Sequence, residues 1–120
     1  MGPGVDSIDV TEAERRMRED PDAPLLIDVR EQYEFDELRA PGAVLMPMSS
    51  FTERLSELPP DRPLMIVCHM GSRSAAVAGF LARSGRPDVV NVAGGMDAWQ
   101  RQGLPVKRGT PEPGEGDLPG

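Results

Sequence analysis

Several residue types are scarce in this sequence, and each shortage excludes a class of protein. Cysteine occurs once, at Cys68, and histidine once, at His69, which excludes an internal disulfide framework and a zinc cluster. Aromatic residues comprise only three Phe, one Trp and one Tyr, so aliphatic side chains must build the core. Lysine occurs once, and the net charge is −7. We therefore expect no nucleic-acid partner, because phosphate binding needs a clustered basic face.

Long hydrophobic runs are also missing. The longest apolar run, residues 75–82, is far shorter than the roughly 20 residues that a membrane-spanning helix requires. The first ten residues lack the basic start and apolar stretch of a signal peptide. We therefore expect a cytoplasmic protein without a membrane partner.

The 120 residues are enough for one domain. We predict that this domain spans residues 7–106. Residues 1–6 and 107–120 are rich in glycine and proline and poor in apolar side chains, so both ends are predicted to be flexible termini. A chain of about residues 5–108 is expected to keep full activity.

Strand and helix signals alternate along the middle of the chain. Apolar runs predict strands at 7–10, 25–29, 43–46, 64–67 and 89–92. Capping-box patterns and helical spacing predict helices at 11–19, 50–58, 73–84 and 96–102. Strands that are apolar at every position, alternating with helices, indicate an α/β fold in which a parallel sheet has helices on both faces.

The single cysteine follows the clearest of these strands. Ligands of parallel α/β sheets bind beyond the carboxyl ends of the strands, and Cys68 stands at such an end, before a short loop and a helix. The loop can turn its N–H groups towards one point, Gly71 eases that turn, and Arg73 adds a positive charge at the helix start. A helix N-terminus contributes only about 0.3–1 kcal/mol, less than one pKa unit. The N–H groups must therefore supply most of any lowering of the Cys68 pKa. The sequence favours a reactive nucleophile over a buried, inert thiol.

Several neighbouring residues have two interpretations each. The His69 imidazole either takes part in the reaction, by attracting an anionic donor or assisting proton transfer, or points away from the sulfur. Asp28 and Arg30, at the end of an adjacent strand, either line the mouth of the site or form an ion pair that steadies it. Ser72 and Ser74 either donate hydrogen bonds to the sulfur or cap the helix. No metal site is expected, because one His beside one Cys is not a ligand set.

Four motifs resemble those of the rhodanese-type sulfurtransferases. The segment 68–74, CHMGSRS, is similar to the family's active-site loop C-x-x-G-x-R-S. Residues 26–31, LIDVRE, resemble its L-I-D-V-R-E strand, and residues 41–43, PGA, resemble its I-P-G-A turn. Residues 94–99, GGMDAW, resemble its GG-x-x-A-W signature. The motifs occur in the family's order over residues 7–106. One departure is visible, since Leu38-Arg39-Ala40 stands where the family commonly has Gly-His.

The resemblance implies a fold, a reaction and a site. The fold is a five-stranded parallel sheet. Cys68 accepts sulfane sulfur from a donor such as thiosulfate, becomes a persulfide, and passes the sulfur to cyanide, a thiol or a protein cysteine, without a cofactor. An alternative is a persulfide relay module that serves partner proteins. The substrate-binding loop is then formed by the residues that follow the cysteine: His69, Met70, Gly71, Ser72, Arg73 and Ser74.

Loop length separates sulfur transfer from a second chemistry. Phosphatases and arsenate reductases on this fold use C-x5-R, a loop that fits a tetrahedral oxyanion. Cys68 and Arg73 form a C-x4-R loop, one residue shorter. The shorter ring favours the terminal sulfur of a persulfide over a phosphate or arsenate.

Overall fold

The computed structural model describes residues 5–20 and 24–119, in which five parallel strands form one sheet. The sheet order is β1-β5-β4-β2-β3, with β1 at Ser7–Ile8, β2 at Leu25–Asp28, β3 at Val44–Leu45, β4 at Leu64–Val67 and β5 at Val89–Val92. The predicted α/β fold with a five-stranded parallel sheet is confirmed. Strand β4, which is apolar at every position, and strand β2, which is apolar up to Asp28, are inner strands, and an inner strand is buried on both faces. The apolar run at 43–46 supplies edge strand β3.

Helices cover both faces of the sheet. They are α1 at Val10–Glu19, α2 at Gln32–Glu37, α3 at Ser72–Arg83 and α4 at Gly95–Arg101. Two short 3-10 segments occupy Met48–Ser50 and Thr52–Glu57. No helix in the described part of the chain is long and apolar enough to cross a membrane.

Alternation along β4 decides which side of the sheet the cysteine faces. Leu64 and Ile66 belong to the core cluster that includes buried residues of α3, whereas Met65 and Val67 belong to the cluster on the opposite face. Cys68 continues the first series and lies in the same cluster as α3. The period of two along a strand therefore turns the sulfur towards the start of α3.

Three local features differ from the sequence predictions. Helix α1 starts at Val10 rather than Thr11, because the Asp9 carboxylate accepts a hydrogen bond from the Glu12 N–H at 2.8 Å and caps the helix. The predicted helix at 50–58 is a pair of 3-10 segments. Helix α2 was not predicted, because its six residues offer one buried side chain, Phe35, and no helical repeat of apolar residues.

The segment after residue 106 lies against the domain, in contrast to the flexible terminus that its composition predicts. Arg39 is buried, and its guanidinium donates to the Glu115 carboxylate at 2.5 and 3.2 Å and to the Gly109 carbonyl at 2.7 Å. The Gly116 carbonyl accepts a hydrogen bond from the Leu45 N–H of edge strand β3 at 2.8 Å. Composition does not reveal such pairings, because the residues that Arg39 binds are 70 and 76 positions away in the sequence. Of the predicted termini, residues 1–4 and 120 lie outside the described residues.

We expect a chain that ends at residue 108 to melt at least about 5 °C below the full chain. The shortened chain loses the carboxylate partner of buried Arg39 and the acceptor for the Leu45 N–H, and it exposes an edge strand. Thermal unfolding by circular dichroism measures the difference. Removal of residues 1–4 is the control and should leave the melting temperature unchanged. Equal melting temperatures for the full chain and the chain ending at 108 would show that these contacts do not stabilise the domain.

Candidate active site

Cys68 lies at the carboxyl end of β4 and is almost fully buried, with 1% of its surface exposed. The N–H of Gly71 points at the sulfur, with the nitrogen 3.1 Å from Sγ. Gly71 has a φ of 111°, a conformation that favours glycine, and α3 begins at the next residue. The strand end, the glycine turn and the helix start therefore wrap the loop around the sulfur.

The loop carbonyls face away from the sulfur because α4 binds them. The carbonyls of Cys68 and His69 accept hydrogen bonds from the N–H groups of Met96 and Asp97 at 2.8 and 2.9 Å. These N–H groups lie in the first turn of α4 and have no partner within their own helix. Gly95 permits this approach, since a Cβ built there would stand 2.3 Å from the Cys68 carbonyl oxygen.

A buried hydroxyl lies beside the sulfur. The Ser74 Oγ is 3.3 Å from Cys68 Sγ and 2.6 Å from Asn91 Oδ1. Ser74 is fully buried and Asn91 is 7% exposed. Asn91 comes from β5, where it lies on the same face as Val89 and pairs in register with Ile66 of β4. The sheet thus places a carboxamide behind the serine that contacts the cysteine.

Burial is the largest influence on the pKa of Cys68, and it opposes ionisation. Hydrogen bonds from the Ser74 hydroxyl and from the N–H groups of Ser74, Gly71 and Met70 favour the thiolate. Together they outweigh the burial and lower the pKa of Cys68 from its ordinary value. The site therefore favours ionisation of a sulfur that its burial alone would keep neutral.

Arg73 forms an ion pair with a residue of α2. Its two terminal nitrogens donate to the two carboxylate oxygens of Glu34 at 2.7 and 2.8 Å. Hydrogen bonding to Arg73 lowers the pKa of Glu34 to about 2, so the pair stays charged at neutral pH. The positive charge predicted at the start of α3 is present, and a carboxylate compensates it. The pair ties the first turn of α3 to α2.

Asp28 and Arg30 form a buried ion pair rather than a contact with the sulfur. The Arg30 guanidinium donates to both Asp28 oxygens, at 3.0 to 3.1 Å and 2.8 Å, and to the Leu38 carbonyl at 2.6 Å. A further hydrogen bond reaches the carbonyl of Glu34 at 3.3 Å. Asp28 and Arg30 therefore form the ion pair that was one of their two interpretations. The ion pair fixes α2 against the end of β2.

The remaining loop side chains are solvent exposed. His69, Met70 and Ser72 all project outwards, and Met70 is 59% exposed. The backbone of each still contributes to the loop, and within residues 5–20 and 24–119 the hydrogen bonds of the Cys68 sulfur go to Gly71 and Ser74 and not to these side chains. Within residues 5–20 and 24–119, no three His, Cys, Asp or Glu side chains form a group that could hold a metal ion.

A cavity of about 500 Å³ lies away from the cysteine. Its lining includes Leu25 and Leu26 at the amino end of β2, Trp99 of α4 and Asp117 of the C-terminal segment. Every predicted site residue lies outside this lining. The cavity therefore has no part in the chemistry of the sulfur, which lies at the opposite end of the strands.

Sequence reasoning missed three contributors to the site. Asn91 carried one signal, because it is a polar residue at the centre of an apolar run. Glu34 carried none, since its helix was not predicted. The N–H groups that open α4 follow Gly94-Gly95, and a pair of glycines does not by itself indicate which loop those N–H groups bind. These groups act through contacts between elements that are distant in sequence.

Comparisons with known proteins agree with this geometry. The model of the rhodanese-like domain family matches residues 9–102. A sulfurtransferase of Allochromatium vinosum is 36% identical over 102 residues, which cover 85% of this chain and 94% of the relative. The thiosulfate sulfurtransferase GlpE of Actinobacillus succinogenes is 37% identical over 83 residues, which cover 69% of this chain and 75% of the relative. The crystal structure of a rhodanese-like domain protein from Staphylococcus aureus superposes with a TM-score of 0.74 and 35% identity, covering 85% of this chain and 98% of that one.

We predict that Gly95→Ala slows alkylation of Cys68 by iodoacetamide at neutral pH by about tenfold. The added Cβ displaces the Cys68 and His69 carbonyls, and the N–H groups that favour the thiolate move with them. Gly103→Ala is a matched control, because Gly103 also has a positive φ but has nothing within 4 Å of an added Cβ. A Gly95→Ala rate no lower than that of Gly103→Ala would contradict the role of this close approach.

Proposed function

The chain belongs to the rhodanese-like domain family, and on this premise we propose that it transfers sulfane sulfur through a persulfide on Cys68. The donor is an anion such as thiosulfate, and the acceptor is cyanide, a thiol or a protein cysteine. One observation supports the proposal above the others: the hydrogen bonds that converge on a buried sulfur and lower its pKa. The unit that carries the activity is residues 7–106.

In the first half-reaction the Cys68 thiolate attacks the outer sulfur of thiosulfate. A bond forms between Sγ and that sulfur, and the sulfur–sulfur bond of thiosulfate breaks. Sulfite leaves with the bonding electron pair, and Cys68 becomes a persulfide anion. The N–H group of Gly71 and the hydroxyl of Ser74 are placed to donate to negative charge on sulfur before and after the step.

In the second half-reaction an external nucleophile attacks the outer sulfur. The sulfur–sulfur bond of the persulfide breaks, and Cys68 departs as the thiolate in which it began. Cys68 is the single cysteine of the sequence, so an internal disulfide cannot form and the persulfide waits for its acceptor. Sulfite therefore leaves before the acceptor binds, and the kinetics are ping-pong.

Arg73 acts in this proposal as a positioning residue. Both of its terminal nitrogens already bind Glu34, so the pair presents no net charge to the donor. Its contribution is to hold the first turn of α3, which carries Ser74, against α2. The short C-x4-R loop favours the terminal sulfur of a persulfide over phosphate or arsenate.

A protein acceptor or donor is a second candidate within the same chemistry. Met70 on the loop is 59% exposed, and Tyr33 in the first turn of α2 is 68% exposed. Exposed, largely apolar side chains on the cysteine loop and on helix α2, which Arg73 joins to α3, favour contact with a protein surface over a small anion. We propose that the chain acts in the cytoplasm, where protein thiols stay reduced and can accept the sulfur.

Intact mass spectrometry tests the proposal. After incubation with thiosulfate and removal of the excess, the chain should gain the mass of one sulfur atom and lose it again on addition of cyanide. Cys68→Ser is the control and should gain nothing. An unchanged mass for the wild-type chain with thiosulfate, polysulfide and a protein persulfide alike would contradict sulfur transfer. A gain only with the protein persulfide would favour the relay.

We predict that Glu34→Gln lowers kcat/KM for thiosulfate by about tenfold or more, chiefly through kcat. Loss of the ion pair loosens the start of α3, and Arg73→Ala should lower kcat/KM by about 10²-fold in the same way. Glu31→Gln is the matched control, because it removes the same charge nearby without touching Arg73. If Arg73 instead binds the donor, Glu34→Gln frees its guanidinium and lowers KM, which would contradict the positioning role.

A further inference from the structure

The Ser74 hydroxyl has more acceptors around it than protons to donate. It carries one proton, and three acceptors lie within reach: Cys68 Sγ at 3.3 Å, Asn91 Oδ1 at 2.6 Å and the Gly71 carbonyl at 3.1 Å. Ser74 is fully buried, and water cannot supply a further donor. Its single proton must therefore be directed to one neighbour at a time.

The positions of the sulfur, oxygen and nitrogen atoms fit an arrangement that suits a neutral thiol. The Cys68 S–H donates to Ser74 Oγ, the Ser74 O–H donates to Asn91 Oδ1, and the Asn91 Nδ2 group donates to Ser7 Oγ at 3.4 Å. A thiolate has no proton to donate and needs a donor instead. If Ser74 turned its proton to the sulfur, two oxygen lone pairs would face each other across the 2.6 Å to Asn91.

We propose that Asn91 is a positioning residue whose carboxamide orientation decides whether Ser74 accepts a hydrogen bond from the Cys68 thiol or donates one to the thiolate and the persulfide. A half-turn of the carboxamide exchanges its oxygen and nitrogen, which are similar in size. Nδ2 then donates to Ser74 Oγ, Ser74 donates to the sulfur, and Oδ1 accepts from the Ser7 hydroxyl. Every hydrogen bond of the chain reverses, and only the cysteine proton is released. The inference builds on Cys68 as the sulfur carrier of the proposed function.

Asparagine suits this role because a carboxamide both donates and accepts. A carboxylate at the same place can only accept, and would hold the Ser74 proton away from the sulfur. An aliphatic side chain can do neither. Burial also matters, since Asn91 is 7% exposed and water cannot readily replace its hydrogen bonds.

Other charged or titratable groups surround the cysteine and must be separated from this effect. They come from every element packed around the loop: Asp28 at the end of β2 and Arg30 after it, Tyr33 and Glu34 on α2, Arg73 on α3, Asp97 on α4, and His69 in the loop itself. Two of these pairs, Asp28 with Arg30 and Glu34 with Arg73, are ion-paired. All seven persist in Cys68→Ser, so that variant shows any response of Asn91 to groups other than the sulfur.

The sequence allows a direct experiment on the wild-type chain. Asn91 is the only asparagine, so labelling with ¹⁵N-asparagine gives one side-chain amide in the NMR spectrum. We expect this signal to shift with pH at the same midpoint as the alkylation of Cys68, and to shift again when thiosulfate loads the sulfur. The Cys68→Ser chain should show neither change. A side-chain signal that stays in place while Cys68 ionises would overturn the proposal.

A substitution at Asn91 tests the positioning role through the pH profile of Cys68 alkylation. Asn91→Asp should raise the midpoint of the pH profile for Cys68 alkylation by about one unit or more, and the rise should be much smaller in a Ser74→Ala background. Val89→Ala, on the same strand and face, is the control for packing and should leave the midpoint unchanged. An equal rise with and without the Ser74 hydroxyl would overturn the proposal, because it would show a direct effect of charge.

Neither experiment depends on turnover. If Cys68 titrates together with the Asn91 amide but never gains sulfur, the positioning role stands and the proposed function fails. If Cys68 gains sulfur while the NMR signal of the Asn91 side-chain amide does not shift, the proposed function stands and the positioning role fails.

Discussion

The site depends on one constraint: a buried sulfur can ionise only if fixed donors replace water around it. Four hydrogen-bonding groups meet this need, the hydroxyl of Ser74 and the N–H groups of Met70, Gly71 and Ser74. They can face inwards because α4 binds the carbonyls of Cys68 and His69 on the other side of the loop. The start of one helix thus holds the loop, and the start of another donates to the sulfur.

Ion pairs extend this support away from the cysteine. Arg73 and Glu34 tie α3 to α2, while Arg30 ties α2 to the end of β2. Arg39, which follows α2, binds the C-terminal segment through Glu115. Arg39 belongs to the segment 38–40, at which the sequence departs from the rhodanese pattern, and its guanidinium binds a segment that composition alone predicts to be flexible.

The sequence was sufficient to predict the parallel sheet and the loop that follows the cysteine. Strands β2, β4 and β5 are fully or largely apolar runs, and hydrophobic patterning does not depend on distant partners. Three features escaped prediction because each depends on a few specific contacts and not on a sequence pattern: helix α2, the capping by Asp9 and the position of the C-terminal segment. The same reason hid Glu34 and Asn91, whose partners lie 39 and 17 residues away along the chain.

The state of the sulfur itself is the most direct test of this account. Ultraviolet absorbance of the thiolate, recorded against pH and corrected with Cys68→Ser, measures the pKa of Cys68 without substrate or reagent. The account predicts a midpoint below about 8.5, the value of a free cysteine. A midpoint at or above that value would show that burial outweighs the hydrogen bonds of the loop, and would contradict the central claim.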